Sequence, residues 1–171
     1  MTRSAPGLHP SAAALWVVAA LVVITVVSPS APAHAETEQP RDLATEVCED
    51  MVRGAVVAAA GQELAQPQQG TWRGRRYVCR YDIGDGRLSV MVDVTRTSDS
   101  ADVLFERRRG GARRRTGLSG IGDQAFQNRR TKAVVAQKDN FVLTVDPTDL
   151  PAEVDHDVVA WSTTRAIFDC W

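Results

Sequence analysis

Histidine is nearly missing from this chain. Three occur in 171 residues, and two of them, His9 and His34, lie in the first 35 positions. That leaves His156 as the only imidazole in the body of the chain. No histidine pair can be built there, so a His-rich zinc site is excluded. A Ser–His–Asp arrangement would have to use His156. No G-x-S-x-G frame accompanies it, because Ser119 sits in "GLSGIG". His156, in "EVDHDVV", reads as a solvated residue at the start of a helix. Lysine is also scarce, with only Lys132 and Lys138, and no Gly-Lys-Ser or Gly-Lys-Thr occurs. A P-loop is therefore excluded.

The one long apolar run is itself short. Ala12 to Val27 spans 16 residues, below the roughly 20 that a membrane-spanning helix needs. Arg3 precedes it, and Ala33-His34-Ala35 follows with the small-x-small form that signal peptidase accepts. This is the layout of a secretory signal peptide over 1–35, with cleavage expected after Ala35. An uncleaved anchor is the alternative. Either way the remaining chain is expected outside the cytoplasmic membrane. Residues 36–41 read as a flexible lead-in and 42–171 as a single domain.

Cysteine is sparse as well, and no lipid-attachment cysteine stands in the apolar run. Cys48, Cys79 and Cys170 allow one pair with one left over. In an oxidising compartment a disulfide is the default. The favoured pair is Cys48 with Cys79, closing a loop of about 32 residues for roughly 3–4 kcal/mol. The alternative joins Cys170 to Cys48, and a leftover thiol could link two chains.

Periodicity supplies the fold class. Leu43, Val47 and Met51, with Ala44, Cys48, Val52 and Ala55 beside them, predict a first helix from Asp42 to Ala60, stopped by Gly61. Tyr77, Cys79, Tyr81 and Ile83 alternate within a strand over 71–83, and Leu88, Val90, Val92 and Val94 within another over 87–95. Gly84-Asp85-Gly86 joins them as a hairpin turn. A short helix is expected over 98–109, followed by strands in "QAFQNR", "KAVVAQK" and "NFVLTVD". A last helix runs from Pro151 to the C-terminus with Val154, Val158, Trp161 and Ile167 or Phe168 inward. The order α-β-β-α-β-β-β-α predicts an α+β domain, an antiparallel sheet of about five strands with helices packed on one face.

Two patterns compete for function. Gly117, Gly120 and Gly122 cluster in "GLSGIGDQAF", but as G-x-x-G-x-G before a strand, not the dinucleotide order after one. They read as a structural turn that supplies positive φ, with Asp123 accepting hydrogen bonds from turn amides. "RRRGGARRR" carries the other pattern, with Arg107, Arg108, Arg109, Arg113, Arg114 and Arg115 in nine positions. Residues 36–63 hold 2 basic and 7 acidic side chains, 64–132 hold 15 and 7, and 133–171 hold 2 and 7. The centre is thus basic between two acidic flanks. Arginine forks grip carboxylate and phosphate at two points. The tract, with Arg73, Arg75 and Arg76, is the candidate anion- or partner-binding set. The competing reading is a solvated loop that serves solubility or pairs with the chain's own acids. Trp72 beside these arginines stacks on a sugar or guanidinium, or covers the edge of the core.

The motifs resemble a large actinobacterial group of exported proteins and lipoproteins with a domain of unknown function. Shared are a cysteine in the first helix (Cys48), Cys-x-Tyr in a strand (Cys79, Tyr81) and Gly-x-Gly-Asp-x-Ala (Gly120, Gly122, Asp123, Ala125). The layout is also similar to extracellular sensor domains of some mycobacterial Ser/Thr kinases. The resemblance implies a helix-flanked antiparallel sheet, a Cys48–Cys79 bridge, and envelope binding or sensing without catalysis. The chain departs from the group by lacking the lipid-attachment cysteine and by adding Cys170.

The expectation is therefore a secreted, non-catalytic domain of the cell envelope. It needs no cofactor or metal, and its partner is an anionic envelope component or an acidic protein, with peripheral membrane contact as one route. Nucleic acid is not expected, since export separates the two. A small-molecule or sensing pocket between the sheet and the last helix is the alternative, and a secreted hydrolase stands behind it.

Overall fold

Alternating apolar residues build the centre of the molecule. In the computed structural model, which describes residues 39–65, 68 and 70–171, β2 (Arg76–Ile83) and β3 (Gly86–Val94) pair antiparallel. Tyr77 lies opposite Val92, Cys79 opposite Val90 and Tyr81 opposite Leu88. Side chains alternate between faces along a strand, so these residues all point the same way. β7 (Phe141–Asp149) lies on the far side of β3, followed by β6 (Val134–Lys138), β5 (Gln124–Asn128) and β4 (Arg115–Leu118). β1 (Thr71–Arg73) closes the other edge. The full order is β1-β2-β3-β7-β6-β5-β4, antiparallel throughout.

The expected five strands are thus corrected to seven. At Gly74, with φ of 64°, the chain turns back, and Arg73 lies opposite Arg76. What read as one strand over 71–83 is therefore two. β4 is the second addition. Its charged, glycine-bearing residues are mostly exposed and show no apolar alternation, yet its backbone pairs with β5 from Arg115–Asn128 to Leu118–Ala125.

Helices lie on both faces, a second correction. On one face sit α1 (Gln39–Thr45), a 3₁₀ turn over Glu46–Cys48, α2 (Asp50–Ala60) and α4 (His156–Cys170). They pack Val47, Val52, Val56, Val159, Ala160 and Ile167 onto Tyr81, Leu88, Val90, Leu143 and Val145, all essentially inaccessible to water. Each large apolar side chain buried there contributes about 1.5–3 kcal/mol relative to exposure. On the other face α3 (Ser98–Gly111) places Ala101 and Phe105 on Phe126, Val135 and Val142. The alternation of Val134 with Val135, and of Leu143 with Val142, feeds the two cores from the same strands.

The first helix is interrupted where one continuous helix was expected, and the lead-in is helical from Gln39. Glu49 is extended, with ψ of 165°. Neighbouring positions on an unbroken helix point about 100° apart. The interruption lets adjacent Val47 and Cys48 both reach the sheet: Val47 is buried, Cys48 is bridged to Cys79, and the Val47 carbonyl accepts a hydrogen bond from the Tyr81 hydroxyl. Met51, expected inward, is 62% exposed. In α4 the buried stripe is Val159, Ala160, Thr163, Thr164 and Ile167; Ile167 and the preceding Val154 are buried as expected, whereas Val158 faces out and Trp161 is only half-buried. The helix starts at His156, not at Pro151, because Asp155 caps it by accepting from the amides of Asp157 and Val158. The expected signal segment and its cleavage point lie outside the described residues. Among the described residues no helix is long and apolar enough to cross a membrane.

Candidate functional site

The arginine tract begins inside α3 and ends in β4, and that position sorts its members. Arg108 falls on the buried side of the helix. Its guanidinium donates to Thr144 Oγ1 at 2.5 Å and to Asp93 Oδ2. Asp93 also accepts from Arg76 Nε at 2.8 Å. One carboxylate on β3 thus holds two arginines that had been grouped with the binding set. Burial pulls the Arg108 guanidinium below its ordinary value, while Asp93 draws it back up. Arg109 pairs with Glu106 one turn earlier at 3.1 Å. Arg75 donates to the Val94 carbonyl at 2.7 Å. Arg73 and Trp72 belong to β1, the opposite edge of the sheet from β4. The Trp72 ring lies tilted against Tyr77 at 5.1 Å. The structure therefore separates Arg73, Arg75 and Arg76 from the end of the tract.

Beyond α3 the arrangement changes. Ala112 is buried and ends the helix. Arg115 folds back, with Nη1 donating to the carbonyls of Arg109 at 3.4 Å and Ala112 at 3.2 Å. A cation there adds a partner for carbonyls at the helix end, of which that of Arg109 also accepts the Ala112 amide, and opposes the helix's negative end. Across β4, the β5–β6 turn is shaped by Asn128, whose Oδ1 accepts from the amides of Arg130 and Thr131. Lys132, at φ of 62°, completes the reversal. The Arg129 amide donates to the Arg114 carbonyl at 2.8 Å, and its Nε to Thr116 Oγ1 at 2.7 Å.

Two separate segments thereby meet. Arg113, Arg114, Arg115, Arg129 and Arg130 line one open cleft of about 820 Å³. A second hollow of about 340 Å³ shares Arg113, Arg114 and Arg130 and adds Gly111 and Asn128. Among the described residues neither hollow has an acidic lining residue. None of the five arginines makes an ion pair among the described residues. Arg107 is exposed on α3 and lies outside both linings. Sequence reasoning missed Arg129 and Arg130. The available signal was "NRRTK", a turn-forming Asn followed by two arginines, but it carried no meaning until β4 was known to pair with β5.

The glycine cluster divides as well. Gly120 and Gly122 have φ of 75° and 54°, while Gly117 lies within β4. A Cβ at Gly122 would sit 2.3 Å from the Gln137 carbonyl oxygen. The Asp123 carboxylate accepts from the Asp139 amide at 2.8 Å, so it braces the β6–β7 turn and not its own.

Cys48 and Cys79 form the disulfide, with Cα atoms 5.6 Å apart, which removes the Cys48–Cys170 alternative. Cys170 is free, its Sγ 3.0 Å from the Ala166 carbonyl oxygen. Burial, Glu46 and Asp169 push its thiol up. His156 Nε2 lies 3.2 Å from the Pro151 carbonyl oxygen. Among the described residues no group of three or more His, Cys, Asp or Glu is placed to hold a metal ion. Side chains of the main core pack between the sheet and α4. No family model, curated protein or solved structure matches the chain.

Proposed function

We propose that this chain is an extracytoplasmic, non-catalytic binding domain whose arginine cleft holds an anionic envelope component or an acidic partner. The convergence of Arg113–Arg115 with Arg129 and Arg130, without a carboxylate among them, carries the reading. Five like charges repel one another when the cleft is empty, and an anion relieves that repulsion. The cost of gathering them falls away on binding, which favours the complex. The Cys48–Cys79 bridge supports an oxidising compartment, and the likeness to exported actinobacterial domains points the same way.

The test is binding to phosphatidylglycerol vesicles and to isolated wall polymer across a salt series. Binding that falls steeply with salt, and is lost in R113Q/R114Q/R130Q, is the expected result. Binding that ignores both changes discards the reading. Cell fractionation checks the compartment, with the protein expected in the envelope or the medium.

A further inference from the structure

Resting on that reading, we infer that the occupant of the cleft is an extended chain of phosphate groups, laid between the Arg113–Arg115 segment and the β5–β6 turn. Charge supplies the first reason. A phosphate linked on both sides within a chain carries about one negative charge. Five guanidinium groups are therefore matched by about five such phosphates, not by one. Shape supplies the second. The cleft continues into the smaller hollow through Arg113, Arg114 and Arg130, so forks are offered along a run and not around a point.

The third reason is what the lining leaves out. Among the described residues the large exposed hydrophobic ones are Met51, Trp72, Val103 and Val158, and none of them lines either hollow. A bilayer surface would find nothing there to insert. Among the described residues no aromatic one lines them either, so nucleobases gain no stacking there and a phosphate backbone is what the forks recognise. Finally, the forks differ in freedom. Arg115 and Arg129 are held by the Ala112 carbonyl and the Thr116 hydroxyl. Arg113, Arg114 and Arg130 make no side-chain hydrogen bond among the described residues, and they can adjust to successive phosphates.

The experiment titrates the protein with linear inorganic polyphosphate at several salt concentrations. Phosphatidylglycerol vesicles, poly-glutamate and oligo-dT serve as parallel probes. Polyphosphate should bind, with log K falling against log salt at a slope of roughly −3.5 to −4.5 for five contacts. R113Q/R114Q/R130Q should weaken binding at least about tenfold and reduce the slope by about 2–3. R96Q/R165Q, exposed arginines outside both hollows, should change neither, and near-UV circular dichroism confirms that both variants are folded. Vesicles that bind while polyphosphate does not would overturn the inference and leave the anion-binding reading standing. Poly-glutamate equal to polyphosphate at matched charge, or oligo-dT tighter than polyphosphate, would overturn it as well. Failure of all four probes would remove both the inference and the reading beneath it.

Discussion

Arg108 and Arg113 stand five positions apart in one tract and meet opposite circumstances. Arg108 lies under α3, its side chain 19% exposed, shared between Asp93 and Thr144. Arg113 lies past the end of the helix, exposed, beside four other arginines. The first is neutralised within the fold. The second has no ion pair among the described residues. The difference does not come from residue type, which is the same, but from where α3 ends. Ala112 is buried at that point and throws the following side chains outward. Charge in a sequence counts for binding only after the fold has taken what it needs.

Substitutions at the two ends should break this pairing in opposite ways. The largest expected loss tests whether the packed side merely supports the cleft. Cys48→Ala with Cys79→Ala should lower stability by about 3–4 kcal/mol in urea unfolding. Anion affinity measured below the transition should stay within about twofold, because the bridge lies on the other side of the sheet from α3. Asp93→Asn comes next. It leaves Arg108 largely buried without its carboxylate, and about 2–3 kcal/mol should go, between the values for exposed and for fully buried pairs. Gly122→Ala should cost about 2 kcal/mol, because it combines a left-handed backbone with a clash on the Gln137 carbonyl. The same variant should weaken anion binding, since this turn sets β4 against β5.

Alkaline titration sharpens the contrast from the packed side. Burial raises the Tyr77 and Tyr81 hydroxyls, Tyr81 most strongly, whereas unfolded tyrosines ionise near about pH 10. Their folded-state protons are therefore held more tightly. The stability they contribute is intact below about pH 10 and is lost as pH climbs toward the folded values, by about 1.4 kcal/mol per pH unit for Tyr81. These are the only two tyrosines in the chain. Absorbance at about 295 nm should show little tyrosinate at pH 10 and a rise that coincides with unfolding above it. The smallest stability effect belongs to R113Q/R114Q/R130Q. It should stay within about 0.5 kcal/mol, with any shift toward greater stability as repulsion is relieved. Anion binding should nonetheless fall. Loss of stability without loss of binding in the folded protein at Asp93, and loss of binding without loss of stability at Arg113, would together establish the division.

Much of the frame was legible from the sequence because it rests on apolar period. Tyr77 to Ile83 and Leu88 to Val94 alternate over a sharp glycine turn, and the structure pairs them in that register. Phe141, Leu143 and Val145 share a face as their spacing suggests. The cysteine in the first helix and the one in the strand could be named as partners. What stayed hidden lacks such a period. β1 and β4 are edge strands, ordered by backbone pairing, whose exposed side chains obey no alternation. The interruption at Glu49 answers to a disulfide and a tyrosine hydroxyl that arrive from elsewhere in the chain. The cleft was half visible. The tract announces itself, but its partners at Arg129 and Arg130 arrive through β4–β5 pairing, and the loss of Arg76 and Arg108 to Asp93 depends on a contact between β2, β3 and α3.

The two margins of the sheet carry a consequence of their own. β1 has three residues and β4 has four, fewer than any other strand, and each bears an arginine at an end, Arg73 and Arg115. Margins this brief and this cationic make poor templates for another molecule's backbone. On the proposed reading, a protein that meets long polyanions would be crowded against its own copies along them. Stubby, like-charged borders would then let copies line up on one polymer without zipping into fibres.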